Sequence, residues 1–420
     1  MVSIRFNGSL AALILLVLTA LSSYADVDTR QQIFDGRFRT LKVANVSVFD
    51  AAPVIRMGSS DRIEILFDEI GEDNSYLEYR LIHCNADWQP SALIESEYID
   101  GFNAVRIEDY AFSSATYVHY VNYRIELPNE DMPVIRSGNY LLQVYDPDHP
   151  DDILLQARFR VSENSAAIAG GYNARTDRGY NDRWQQLEVA ATVDREDGGN
   201  PYTDYRLEIL QNNRQLTDRI ITTPARVNGN QLIYDHLQQL IFPASNEYRR
   251  FESVSNQFPG MNVDSLRYMG TNYHVWLKPD EPRAWSEYVY DSTQHGRFMV
   301  REWNATDSNI GADYITVHFL LDSQYIDGAE IYVDGEMTNG MFTDANRMTW
   351  TPQAGVYTLQ MPLKQGAYNY QYLLRMPDGT FQPLDGDKWQ TCNQYDILLW
   401  ERKPGERADR LIGYEVFENI

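Results

Sequence analysis

GNYLLQVYDPDHPDDILLQARFRV, residues 138–161, reads as two β-strands and the turn between them. Tyr140, Leu142 and Val144 recur at every second position, as do Leu155, Ala157, Phe159 and Val161. That period belongs to strands with one face on a core. Asp146-Pro147-Asp148-His149-Pro150 supplies turn chemistry, because proline presets φ and aspartate bonds its own backbone. The pattern continues upstream in Ile63, Ile65 and Phe67, then in Leu77, Tyr79 and Leu81. Gly71 to Ser75 and Ser137-Gly138-Asn139 punctuate these strands. Short alternating strands at this spacing predict an immunoglobulin-like β-sandwich over residues 26–162, with strands from about Ile33 to Ser162.

The same signature recurs downstream. Ser162 to Asn173, polar and small with a glycine pair, reads as a linker. Leu187, Val189, Ala191 and Val193, then Tyr205, Leu207 and Ile209, mark a second β-unit over 163–310, with a turn at Asp197 to Pro201. Leu232, Leu237 and Leu240 fit a short helical period within it. A third unit, 311–420, opens with Ile315, Val317, Phe319 and Leu321 and continues through Tyr357 to Leu363 and Tyr368 to Leu374. The expected fold is therefore all-β, three β-sandwiches in tandem. No repeat of solenoid or propeller length is visible.

Arg5, the apolar run 10–21 and small residues at Ser23 and Ala25 give the order of a cleaved signal peptide, residues 1–25. No cysteine stands near that cleavage point to accept a lipid, and no other stretch is long and apolar enough for a spanning helix. The expected mature protein is exported and soluble. Removing Arg5 takes the formal charge from −24 to −25, which disfavours binding to phosphate backbones and anionic headgroups. With 13% aromatic and 43% hydrophobic residues the chain has ample material for packed cores. Cys84 and Cys392 stand alone, a spacing typical of no disulfide framework, and read as two buried free thiols.

The motifs of enzymes are missing. None of the seven histidines pairs with another at metal-ligand spacing, and there is no H-E-x-x-H, C-x-x-C, G-x-S-x-G or phosphate-binding loop. Asp146, Asp148, Asp151 and Asp152 form the best calcium candidate but lack EF-hand spacing, so the segment reads as a hairpin turn. His83-Cys84-Asn85-Ala86-Asp87-Trp88 looks the most reactive. Adjacent strand residues point to opposite faces, however, so His83 is badly placed to deprotonate Cys84. A strand end capped by local Asn and Asp bonds, with Trp88 packed over the core, fits better.

That hexapeptide lies within Leu77 to Trp88 (LEYRLIHCNADW), followed by Glu97 to Phe102 (EYIDGF, with Gly101 and Phe102) and by Ser137-Gly138-Asn139-Tyr140. Together these resemble the plug protein of the type IX secretion system. Phe242 to Phe251, with Asn246-Glu247-Tyr248-Arg249, continues the resemblance, as do Phe258 to Met261 and Ala312-Asp313-Tyr314. One departure is Ala244-Ser245, where the family often carries glycine. The resemblance implies a non-enzymatic periplasmic subunit that docks on the inner mouth of a large outer-membrane translocon barrel and occludes its pore. It implies no catalytic, cofactor-binding or metal-binding residue and no small-molecule substrate; the quoted motif residues carry over as structural ones. The third unit is similar to early-set sandwiches found beside glycan-binding modules. A periplasmic polysaccharide-binding protein is therefore the second reading; Trp350 and Trp389 are the candidates for its aromatic platform, although core packing fits each of them better.

Overall fold

The computed structural model describes residues 28–48, 51–194 and 199–418. The expected signal peptide lies outside them, as do Asp197 and Gly198 of the expected turn. The chain is all-β, about 48% strand and 4% helix, and its sheets pack around three main apolar cores.

In the first sandwich, one sheet runs in the order Gln32–Ile33, His149–Ser162, Gly138–Asp146, Glu78–Cys84 and Val105–Arg106, with Val54–Arg56 parallel to the end of the long strand. The facing sheet runs Phe38–Asn45, Ile63–Ile70, Tyr120–Leu127 and Tyr110–Phe112. The alternating residues meet between them: Ile65, Phe67, Leu81, Tyr140, Leu142 and Phe159 are buried in one core. Tyr140 lies opposite Phe159 and stacks on it, with ring centroids 5.3 Å apart. The hairpin turn is tighter than the two prolines suggested, because His149 already pairs with Asp146.

Strand alternation identifies faces, not partners, and the later boundaries shift for that reason. Ala167–Asn173, inside the expected linker, is a strand paired along its length with Trp184–Thr192. Gly170 is small because of that pairing: a Cβ there would lie 2.0 Å from the Glu188 carbonyl oxygen. The expected helical period is instead the strand Gln231–Tyr234 and one 3-10 turn, Gln238–Leu240, with Leu232 and Leu240 both in the core.

The larger difference is at 310/311. Tyr205–Gln211 pairs over its whole length with Gln394–Glu401, which pairs in turn with Arg410–Glu418. The last two strands thus complete the second sandwich. The third sandwich is built from 249–383: Arg249–Ser253, Phe298–Val300, Glu330–Asp334 and Phe381–Pro383 flank Gly366–Arg375. The facing sheet runs Val263–Tyr268, Tyr273–Leu277, Tyr314–Leu321, Val356–Lys364 and Thr349–Thr351. The third sandwich is therefore an insertion into the second rather than its successor. Residues 249–300, assigned to the second unit by position, belong to the third by hydrogen bonding. Every pair of sandwiches also makes direct contacts, so the three form a cluster, not a row.

Candidate functional site: the joints between sandwiches

The strand Glu78–Cys84 ends in a tight turn. The Trp88 amide donates to the Asn85 carbonyl (2.9 Å) and the Gln89 amide to the Asp87 carboxylate (3.0 Å). Trp88 takes a φ of +63°, costly for a bulky side chain. Cation–π contacts offset that cost, because the guanidinium groups of Arg158 and Arg160 lie 4.1 and 5.1 Å from its ring centroids.

His83 and Cys84 face opposite ways, as the strand geometry requires. The His83 ring lies 3.0 Å (Nε2) from the Ser137 carbonyl and 2.9 Å (Nδ1) from the Ser91 hydroxyl, edge-on to Tyr140. Burial lowers its pKa, opposed by the Ser137 bond. Cys84 lies with Trp88 and Leu141, and burial pushes its thiol up to about 12. A thiol so weakly acidic, beside an averted imidazole, is poorly placed to act as a nucleophile. Cys84 and Cys392 are both free, the first buried and the second half-buried.

The turn reaches into the second sandwich. The Ala86 amide donates to the Asp409 carboxylate (3.0 Å), and the Asp409 amide donates back to the Asn85 side chain (3.1 Å). Asn139 donates to the Asn85 carbonyl (2.7 Å) and accepts from Arg160 (3.1 Å). Arg160 pairs with Glu208 at 2.5 Å, and the Trp400 indole donates to the same carboxylate (2.7 Å). Ser137 donates to Glu163 (2.7 Å), which is held by Arg410. Gly138 must be glycine: its φ is +145° and a Cβ would lie 2.4 Å from His83 Nε2. A Cβ on Gly101 would meet the Asp131 carbonyl at 2.2 Å. The neighbouring Phe102 differs from the rest, being 76% exposed.

Asn246 to Arg249 form the second joint, where the chain leaves the second sandwich for the third. Arg249 is buried between Asp385 and Asp280, at 2.8 and 2.6 Å. Burial alone would lower the guanidinium pKa, but Asp280 and Asp385 outweigh it and raise it. Burial likewise works to raise that of Asp385, and Arg249 and Arg283 hold it below the usual carboxylate range. Asn246 donates to the Asp385 carbonyl (3.1 Å), tying the outgoing chain to the returning one. Glu247 accepts from Tyr288 (2.6 Å) and from the Cys392 amide (3.0 Å), with its pKa raised by burial against those bonds. The Tyr248 hydroxyl accepts from Gln371 (3.3 Å). Ser245 has a φ of +57°, in the left-handed region that favours glycine.

Ala312 to Tyr314 make the third joint, between the first and third sandwiches. Asp313 accepts from the Tyr117 and Val118 amides, and the Tyr120 hydroxyl donates to the Ala312 carbonyl (2.7 Å). Tyr314 donates to Asp68 (2.7 Å), which also pairs with Lys364 at 2.7 Å in full burial. Sequence reasoning missed Arg160, Glu208, Asp409, Asp68, Lys364, Asp280 and Asp385. Charges such as Arg160 and Glu208, set within otherwise apolar strands, were the available signal.

The remaining candidates fall outside these joints. Trp350 packs on Tyr357 and Tyr325, and Trp389 lies on the segment returning to the second sandwich. Asp148 bonds Asp146 through its own amide, while Asp151 and Asp152 are exposed on the following strand. Among the described residues no group of three or more His, Cys, Asp or Glu side chains is arranged to hold a metal ion, and no helix is long and apolar enough to cross a membrane.

The class defined here is a body of three mutually bonded β-sandwiches whose distinctive side chains serve as mortar. Residues 38–163 match the family described as the type 9 secretion system plug protein 1st domain, a match that supports the type IX secretion plug family for this chain. It is similar to the crystal structure of a hypothetical protein from Parabacteroides merdae, with 35% identity over 93% of this chain and 99% of that one and a TM-score of 0.90. A DNA-bound alkylpurine DNA glycosylase from Pseudomonas fluorescens is 14% identical over 30% of each chain; its TM-score of 0.19 carries no argument. No curated protein matches the chain.

Proposed function

We propose that this protein is a non-enzymatic periplasmic plug: it docks on the periplasmic mouth of the type IX outer-membrane translocon barrel and occludes its pore. The observation that carries the reading is the plug-domain match over residues 38–163. The joints support it physically. A stopper must resist deformation, and here buried ion pairs and reciprocal backbone bonds tie each sandwich to both others. The family-motif residues at those joints are spent on positioning, with His83 and Cys84 turned apart. An excess of acidic residues keeps the body away from anionic membrane surfaces while it works beside one.

Deleting the gene tests the reading. Increased envelope permeability to large antibiotics, with secretion preserved, is the expected result. Unchanged permeability would overturn occlusion.

A further inference from the structure

A cavity of about 170 Å³ lies where the three sandwiches meet. Trp88, Arg158 and Arg160 come to it from the first sandwich, Arg214 from the second, and Asp334 and Phe342 from the third. Two of its cations are neutralised in place, Arg160 by Glu208 at 2.5 Å and Arg214 by Asp334 at 2.7 Å.

Arg158 is different. It is only 9% exposed, and its guanidinium donates to the Thr29 carbonyl and, at 3.0 Å, to the Thr29 hydroxyl. Among the described residues it forms no direct ion pair and its Nη1 donates to no protein atom, while Asp28, Glu208 and Asp218 act on it only through space. Burial, and then the neighbouring Arg160, pull its pKa down to about 9. Burying a cation without a directly bonded counter-ion is unfavourable, and Met or Leu at the same place would avoid that cost.

We propose that the cavity binds a small organic carboxylate, its carboxyl group on Arg158 and its apolar part between Trp88 and Phe342. A guanidinium presents parallel donors that match a carboxylate. The aromatic walls would receive a hydrocarbon body. A cavity of about 150 Å³ holds a benzene molecule, so this one suits a short aliphatic or single-ring acid. Because all three sandwiches line the site, an occupant would tighten their junction and stabilise the whole body. The proposal is independent of the plug reading.

Calorimetric titration of the purified protein with benzoate, benzyl alcohol and inorganic phosphate tests it. Saturable benzoate binding is expected, with both other probes about tenfold weaker or more. Arg158→Gln and Arg158→Met should lose benzoate binding to a similar degree while circular dichroism shows each folded. No saturable benzoate binding to the unaltered protein would overturn the proposal, whatever the variants do. Equal binding of benzyl alcohol would remove the role of charge, and equal binding of phosphate that of the apolar walls; either also overturns it.

Discussion

Two of the family segments, His83 to Trp88 and Asn246 to Arg249, both join sandwiches, but by different physics. At the first, the segment contributes neutral groups: the Ala86 amide, the Asn85 side chain and carbonyl, and a tryptophan face, while the charges come from Arg160 of the same sandwich and from Asp409 across the joint. At the second, the segment itself carries the charge, Arg249 between two carboxylates. The first lies between strands already fixed by their own sandwich, so hydrogen-bond geometry suffices. The second lies where the chain enters an inserted domain close to where it returns, and a central cation draws together Asp280 and Asp385 from separate segments.

This contrast predicts unequal costs of damage. Arg249→Met should be the most harmful, about 3–5 kcal/mol by urea denaturation, because it takes the cation from half-buried Asp280 and leaves buried Asp385 to Arg283 alone. Restoring part of that loss with a second change, Asp280→Asn, would identify electrostatics rather than packing as the cause, because its carbonyl can still accept from Tyr370 and Tyr372. At the neutral joint, Gly138→Ala should cost about 2–3 kcal/mol through left-handed strain and collision with His83. The same variant should bring the His83 pKa, read by NMR, back toward the ordinary value as the ring is pushed from its site.

Acid should act more gradually, near the second joint. His295 is held neutral down to about pH 4 by burial and by Arg297. Its folded pKa is below the unfolded one, so the unfolded chain takes up the proton first as pH falls. Stability should therefore decline between about pH 6.5 and 4 and level off below. Relative to His295→Asn, the extra loss should be on the order of 3 kcal/mol once the pH is well below 4. Phe102→Ala should have the smallest effect, within about 0.5 kcal/mol, because this residue alone among the motif positions of the first sandwich projects a large apolar side chain into solvent. A larger cost would show that Phe102 packs like its neighbours, removing it as an exception to the structural use of these motifs.

Much of the first sandwich was legible because its strands show one face to a core and the other outward, as in Ile63, Ile65 and Phe67. Gln394–Glu401 was not, since it is buried on both faces: Tyr395, Ile397 and Leu399 enter the second core, while Leu398 and Trp400 pack with Ala86 at the joint. Such a strand has no alternation to read. The strand end at His83 to Trp88 was recognised from turn chemistry and strand geometry, but Trp88 covers more than the core; it lies under Arg158 and Arg160 at the junction.

By itself, the sequence determined the all-β class, the faces of many strands, the averted His83–Cys84 pair and the family, because period, turn residues and local motifs are short-range properties. Tertiary structure alone decided that the third sandwich is inserted in the second, that the motifs are joints, and that Arg158 stands over a cavity without a direct ion pair. Those facts depend on which distant strands pair and which charges meet after folding. Tyr205 finding Glu401, and Asp68 finding Lys364, leave no local period behind.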